Sequence, residues 1–385
     1  MRIAGIAPES NRPITIVTKG TSIAAIEQGI NRPDVGSEDL YISAGMIDLM
    51  VPGYAGVDFI DPDLSSCNIQ SIVQRLYAHG TTHFYPLIMT SRPDVYQDVL
   101  PVIKEFAERA PHGRSILGMH LEGPYLSEEA GACGAHNPEL MRDPDFEELK
   151  NWYDISGKRV SIITLAPERK GTVEFIRQAR RLGVKAAIGH TVASAEQLNA
   201  AVLAGADMST HLGNGAQSMI HRWDNYIFRQ LADDRLWAGI IADGDHLPDS
   251  NLRIWFRTKG QKRIILVSDV SPQAGLPAGV YKKNDSVEVR VEPTGRIIVN
   301  DGSGNLAGAG YALNKGVAGA LQIGEFNLAE CLALATINPA NYMGLNHLGS
   351  LEPGKEASMF LFEKDISSTL KVRQTILAGE VVYSA

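Results

Sequence analysis

The 385-residue sequence has few cysteines and no Cys-x-x-Cys pair. Its three cysteines, Cys67, Cys133 and Cys331, are far apart and odd in number. Both a disulfide framework and a thiolate zinc site are therefore disfavoured. We expect a protein that works in the reducing cytoplasm.

Long apolar runs and an excess of basic residues are also absent. No run approaches the roughly 18 residues that a membrane-spanning helix needs. The 36 Lys and Arg residues stand against 44 Asp and Glu residues, for a formal net charge of -8. A nucleic-acid or anionic-membrane partner would favour a basic surface instead. We expect neither kind of partner, whereas a small anionic ligand remains compatible with a local cluster of positive charge.

Both ends of the chain have the character of short strands. Residues 1–43 and 349–385 contain β-branched stretches such as Ile14-Thr15-Ile16-Val17. Strand-like segments at both ends predict one small β-sandwich domain assembled from the two termini. The remaining residues, 44–348, have the length of a barrel of roughly 250 residues with insertions.

Predicted strands and helices alternate between the two ends. The spacing of apolar residues predicts helices over residues 68–79, 94–110, 172–182 and 195–204. Repeated strand–loop–helix units indicate an α/β fold with a parallel sheet, and eight units would close a (β/α)8 TIM-type barrel. The alternating stretch from Tyr281 to Val299 predicts a hairpin inserted near residues 280–300.

Polar side chains follow short apolar runs at several places in the predicted barrel. Parallel strands that are buried on both faces appear in a sequence as continuous apolar runs. Their carboxyl ends meet at one face of a barrel, where active sites are built. We therefore expect the polar residues after these runs to lie close together: Glu122, His190, His211, His246 and Asp269.

These residue types point to metal-assisted hydrolysis. Glu122, His190 and His211 offer one carboxylate oxygen and two imidazole nitrogens, a set that leaves a divalent cation an open position for water. Such a cation acidifies water near neutral pH. Asp269 can take that proton and later deliver it to a leaving group. The combination predicts hydrolysis of an amide or another C–N bond.

A series of short segments between about residues 41 and 362 carries a family resemblance. The segments are Ala44-Gly45-Met46-Ile47-Asp48-Leu49, His120-Leu121-Glu122-Gly123-Pro124, Gly189-His190-Thr191, Thr210-His211-Leu212-Gly213-Asn214-Gly215, residues 239–246, Leu266-Val267-Ser268-Asp269, residues 335–340 and residues 351–357. In order and approximate spacing they resemble the N-acetylglucosamine-6-phosphate deacetylases of the amidohydrolase superfamily. Each segment is a weak signal alone, and together they are specific.

The resemblance implies a homodimer that cleaves N-acetylglucosamine 6-phosphate, an amino-sugar phosphate, to glucosamine 6-phosphate and acetate. It implies one divalent metal ion, for which we expect zinc, although iron, manganese or cobalt would also suit N and O ligands. It assigns the metal to Glu122, His190 and His211, and acid–base catalysis to Asp269. It also assigns polarisation of the acetyl carbonyl to His136.

The same resemblance assigns substrate binding to four residues, and we expect the arginine among them to reach into the partner subunit's site. The residues are Asn214, Gly215, Arg222 and His246. A planar guanidinium suits a phosphate group, and a glycine backbone permits close approach.

The first barrel strand departs from the superfamily pattern. Met50 and Pro52 stand where many members carry a His-x-His pair that holds a second metal. Proline has no ligating side chain, and a thioether is a poor ligand for a hard cation, so we expect a single metal. Three alternatives remain open: a hydrolase of another N-acylated sugar, a hydrolase of a cyclic amide, or a non-catalytic sugar-phosphate-binding descendant.

Overall fold

Strands and helices alternate through most of the chain in a computed structural model that describes residues 1–282 and 287–385. The strands are β1 (Arg2–Ala7), β2 (Arg12–Lys19), β3 (Ser22–Gln28), β4 (Val35–Ala44), β5 (Met46–Val51), β6 (Gly53–Tyr54), β7 (Val57–Asp58), β8 (Thr81–Met89), β9 (Met119–Glu122), β10 (Val160–Leu165), β11 (Lys185–Ile188), β12 (Ala206–Ser209), β13 (Trp237–Ile240), β14 (Ile264–Leu266), β15 (Gly279–Lys282), β16 (Glu288–Val291), β17 (Ile297–Val299), β18 (Met359–Glu363), β19 (Val372–Leu377) and β20 (Glu380–Ser384). The helices are α1 (Ser66–Ala78), α2 (Pro93–Arg109), α3 (Phe146–Ile155), α4 (Thr172–Arg181), α5 (Ala195–Ala204), α6 (Tyr226–Ala232), α7 (Asp249–Lys259), α8 (Leu313–Ile323), α9 (Leu328–Ala333) and α10 (Ile337–Met343). Among the described residues, no helix combines the length and apolar character that crossing a bilayer requires.

A parallel sheet of eight strands forms the centre of the molecule. Its order is β5, β8, β9, β10, β11, β12, β13 and β14, so each strand neighbours the next strand of this sheet along the chain. A hydrogen bond of 3.1 Å from the Asp269 amide to the Met50 carbonyl joins the two outermost strands at their carboxyl ends. Every residue of β5 and β8 is buried, as expected for strands covered on both faces. The predicted (β/α)8 barrel is confirmed.

A second sheet combines the two ends of the chain. Its order is β20, β19, β18, β4, β1, β2 and β3, and its pairings are antiparallel except that of β1 with β4. Strand β4 pairs with β18 from Ala44 opposite Met359 to Leu40 opposite Glu363. The prediction that the two chain ends assemble into one β structure is therefore confirmed, and the predicted β-sandwich takes the form of one sheet of seven strands.

Local sequence signals explain where the predicted helices begin. Helix α1 starts after Ser65, whose side chain accepts a hydrogen bond from the Asn68 amide, while the Asn68 side-chain oxygen accepts one from the Ser65 amide. Helix α5 starts after Ser194 with the same reciprocal arrangement through Gln197. Such capping boxes satisfy backbone donors that the first turn leaves unpaired.

The predicted insertion near residues 280–300 is a small antiparallel sheet. Residues 283–286 of the predicted hairpin lie outside the described residues. Strands β16 and β17 pair around a turn at residues 293–295, and β15 adds a third strand beside β16. The segment after β17 pairs with the barrel, because the Ala309 amide donates to the Asp269 carbonyl at 2.8 Å. The insertion therefore lies next to the carboxyl ends of the barrel strands.

Candidate active site

A cavity of about 300 Å³ lies at the carboxyl ends of the barrel strands. Eight of the nine residues predicted for the site line it: Glu122, His136, His190, His211, Asn214, Gly215, His246 and Asp269. The four that carry the proposed metal chemistry and carbonyl polarisation are buried, at 2% exposure for Glu122 and 3–6% for the three histidines. Side chains separated by up to 147 positions in the chain (122 to 269) are thus brought together by the parallel strands.

The backbone is strained at three of these strand ends. His190, His211 and Asp269 have φ values of 49°, 25° and 51°. Residues with a β-carbon reach this left-handed region at a cost of about 1–2 kcal/mol each. Tertiary hydrogen bonds hold two of them there: the His190 carbonyl accepts from the Ser127 amide at 2.9 Å, and Asp269 is bonded at both its amide and its carbonyl. Unfavourable conformations that persist in this way concentrate at functional sites.

The tautomer of His190 follows from its backbone contact. Its Nδ1 lies 2.8 Å from the Ala132 carbonyl, and because a carbonyl only accepts, Nδ1 carries the proton. In the neutral ring, Nε2 therefore presents a lone pair. That lone pair faces His211 Nε2 at 3.1 Å and Glu122 Oε1 at 3.4 Å.

The atoms of this cluster fit a divalent cation. Glu122 Oε1 also lies 3.0 Å from His211 Nε2, so a carboxylate oxygen and two imidazole nitrogens converge on one point. Lone pairs in such an arrangement repel one another unless a cation lies among them, and the two-nitrogen, one-oxygen set matches catalytic zinc sites. Burial alone would raise the pKa of Glu122, but its contacts with His136, His190 and His211 hold it well below the usual range. The carboxylate is therefore ionised.

His136 lies on the other side of the same carboxylate. Its Nε2 is 3.3 Å from Glu122 Oε2, whereas both other histidines face Oε1. Glu122, His136 and His190 also form a group whose ligand atoms lie within 4.8 Å of one another. We favour His211 as the third ligand because it shares one carboxylate oxygen with His190, which leaves His136 beside the centre.

Two other buried polar residues near this cluster, His120 and Asp48, use their side chains in hydrogen bonds that hold the barrel strands. Both ring nitrogens of His120 are occupied, Nδ1 by the Leu49 carbonyl at 2.9 Å and Nε2 by the Thr164 hydroxyl at 2.8 Å. Asp48 Oδ1 accepts from the Met50 and Ser268 amides. Burial raises the pKa of Asp48 to about 7. Because both of its ring nitrogens make hydrogen bonds, His120 has no free nitrogen for a metal.

The proposed sugar-binding residues are held by specific contacts. His246 Nδ1 is 2.9 Å from Asp243 Oδ2, so the ring donates there and keeps Nε2 for the cavity. The Asn214 side chain donates to the His211 carbonyl at 3.1 Å. Gly215 has a φ of 55°, and a Cβ there would lie 2.6 Å from His190 Nδ1. A side chain at residue 215 would therefore crowd the imidazole ring of His190.

Arg222 is the predicted site residue that does not line the cavity. It is exposed, in the segment between β12 and α6. Conversely, Arg296 and Asn305 line the cavity although the sequence patterns did not single them out as ligands. Arg296 follows the turn at residues 293–295, and only the docking of the insertion onto the barrel brings it to the site.

The chain is similar to known deacetylases over most of its length. The Amidohydrolase family profile matches residues 36–382. N-acetylgalactosamine-6-phosphate deacetylase of Escherichia coli O157:H7 is 31% identical over 338 residues, covering 87% of this chain and 86% of that protein. N-acetylglucosamine-6-phosphate deacetylase of Mus musculus is 34% identical over 355 residues, with 89% and 84% covered. The crystal structure of N-acetyl-D-glucosamine-6-phosphate deacetylase from Mycobacterium smegmatis superposes with a TM-score of 0.89 at 28% identity, over 100% of both chains.

Proposed function

This chain belongs to the amidohydrolase family, and from that premise we propose that it deacetylates N-acetylglucosamine 6-phosphate to glucosamine 6-phosphate and acetate. The observation that carries the proposal is the convergence of Glu122, His190 and His211 beside Asp269 in one cavity. The named relatives act on 6-phosphates of N-acetylated amino sugars, which supports this substrate class.

The proposed cofactor is one divalent cation, zinc in the first instance, held by Glu122, His190 and His211. When bound, such a cation supplies Lewis acidity to the amide carbonyl and lowers the pKa of water. His136, beside the second oxygen of Glu122, donates a hydrogen bond to the acetyl carbonyl. Asp269 accepts the proton of the attacking water and returns it to the sugar nitrogen as the C–N bond breaks. Atoms balance: water adds across the amide to give acetate and an amine.

The sugar itself is bound by the remaining cavity residues. Asn214, the Gly215 backbone and His246 Nε2 offer hydrogen bonds to hydroxyl and phosphate oxygens. N-acetylgalactosamine 6-phosphate is the second candidate substrate, because the relative from Escherichia coli O157:H7 is named for it. Another N-acylated sugar or a cyclic amide remains an alternative, whereas the complete metal and acid–base set argues against a non-catalytic descendant.

Measurement of acetate release tests the proposed function. Metal-loaded protein is incubated separately with N-acetylglucosamine 6-phosphate, N-acetylgalactosamine 6-phosphate and the two unphosphorylated sugars. We expect release from a 6-phosphate with little from its unphosphorylated form. Release from none of the four would contradict the proposal and direct the search to cyclic amides.

We also propose a homodimer in the cytoplasm. Large apolar side chains are exposed on both sides of Arg222, with Met219 at 86%, Trp223 at 77% and Phe228 at 45%. Such a patch is typical of a protein interface, and a second copy bound there would bring Arg222 towards the neighbouring cavity. The three cysteines are free thiols, which suits a reducing compartment.

Arg222→Gln tests whether that arginine binds phosphate across the dimer. We expect kcat/KM for the 6-phosphate to fall about 10- to 100-fold, because a charge-assisted hydrogen bond is lost. Activity on the unphosphorylated sugar should not change, and Arg181→Gln on the exposed end of α4 serves as the matched control. Steady-state kinetics and mass by light scattering check the result. An equal loss on both sugars would contradict the phosphate role.

A further inference from the structure

We propose that Arg296 binds the 6-phosphate of the substrate from within the same subunit. This inference deepens the proposed function and rests on it. It assigns to the inserted sheet of β15, β16 and β17 a role in substrate specificity, separate from any contribution of Arg222 of the partner subunit.

The charges that line the cavity make Arg296 distinctive. Among the described residues of the lining, it is the one lysine or arginine, and it faces a cavity that also contains the carboxylates of Glu122 and Asp269. A phosphate monoester carries up to two negative charges near neutral pH, so it would be repelled there without a compensating cation. A guanidinium offers a permanent charge and paired donors that match phosphate oxygens.

The Arg296 guanidinium has donors to offer to a ligand. Its one described ion-pair partner is Glu292, and the Nη1–Oε2 distance of 3.9 Å is too long for a hydrogen bond. The two side chains are 40% and 31% exposed. An exposed ion pair of this kind contributes little stability, so a phosphate can replace Glu292 as the partner at small cost.

The backbone that carries Arg296 is tied to the barrel. The Tyr311 hydroxyl donates to the Thr294 carbonyl in the turn. The turn also packs directly on Gly310, where an added Cβ would lie 2.0 Å from the Gly295 carbonyl oxygen. The preceding residue, Ala309, is bonded to Asp269. A short chain of contacts therefore connects the arginine to the proposed acid–base residue.

Arg296 and the proposed sugar ligand His246 line the same cavity. Burial and Asp243 raise the pKa of Asp245, the neighbour of His246, and the positive charge of Arg296 opposes that rise. The His246 ring is held in the lining of that cavity by Asp243. A phosphate bound there would contact a guanidinium and an imidazole together.

The test compares Arg296→Gln and Arg296→Lys with Arg290→Gln, an exposed arginine on β16 of the same sheet that does not line the cavity. For each holoenzyme, kcat and KM are measured with N-acetylglucosamine 6-phosphate and N-acetylglucosamine. Calorimetry measures binding of glucosamine 6-phosphate and of glucosamine. We expect Arg296→Gln to lose about 10- to 100-fold in kcat/KM for the 6-phosphate and in affinity for glucosamine 6-phosphate. The unphosphorylated ligands should be unaffected, Arg296→Lys should recover part of the loss, and Arg290→Gln should behave as wild type.

The outcomes separate this inference from the proposed function. Unchanged kinetics and binding in Arg296→Gln, or an equal loss with and without phosphate, would overturn the role of Arg296 while acetate release upholds the function. If the wild type releases no acetate but binds glucosamine 6-phosphate through Arg296, the proposed function is wrong and the role of Arg296 in phosphate binding is upheld. A wild type that binds no sugar phosphate overturns both.

Discussion

Asp269→Asn is expected to fold, retain its metal and lose turnover, with kcat reduced about 100- to 10,000-fold. Asparagine has nearly the same shape as aspartate and tolerates the left-handed backbone that this position adopts at a φ of 51°. Its amide cannot take a proton from water or return one to the amine. The substitution therefore removes the proton transfer and leaves the cavity walls in place.

Three measurements make this prediction decisive. Steady-state kinetics gives kcat, elemental analysis gives metal per chain, and a thermal melt reports the fold. Asp301→Asn, on the exposed loop after β17, is the matched control and should behave as wild type. An Asp269→Asn protein with near wild-type kcat would exclude the assigned acid–base role, whereas loss of metal or fold would show that Asp269 has a structural function.

Glu122→Gln is expected to lose the metal and, with it, activity. Glutamine keeps the shape of the side chain but removes the negative charge that faces His190, His211 and His136. Substituting residues that merely orient metal ligands costs about 10- to 100-fold in metal affinity, so loss of a ligand should exceed 100-fold. Zinc titration calorimetry and elemental analysis measure the effect directly.

The matched control for this experiment is Glu128→Gln. Its carboxylate is 62% exposed in the loop after β9 and pairs with Arg169 at 3.5 Å, away from the cluster. Zinc affinity should be unchanged in that variant. Wild-type zinc affinity in Glu122→Gln would refute the ligand assignment and would direct attention to His136 and the remaining histidines.

Arg222 and Arg296 are both proposed to bind the phosphate, and the two roles can be tested separately. Arg222 is exposed beside an apolar patch, and its proposed role needs a second copy of the chain. Arg296 lines the cavity of its own subunit and needs none. If both proposals hold, the double Arg222→Gln and Arg296→Gln variant should lose more specificity for the phosphate than either single variant.

Local sequence patterns predicted the barrel and five of the polar residues that line its cavity, Glu122, His190, His211, His246 and Asp269. Runs such as Ile264-Ile265-Leu266-Val267 are apolar because both faces of a barrel strand are covered, and the polar residue that follows marks the strand's carboxyl end. Capping residues such as Ser194 likewise form hydrogen bonds with residues only a few positions away in the sequence. These signals depend on neighbours in the sequence, so they can be recognised without a structure.

The sequence by itself thus determined the kinds of element, their order and the residues at the strand ends. The tertiary structure decided which oxygen of Glu122 faces His211, that a side chain at residue 215 would crowd His190, and that Arg296 lines the cavity. Each of these depends on contacts between distant segments, such as the bond from Ala309 to Asp269 that seats the inserted sheet. Neither the periodicity of apolar residues nor a helix-capping residue encodes such a contact. It arises only when the barrel strands have closed and the insertion has docked on their carboxyl ends.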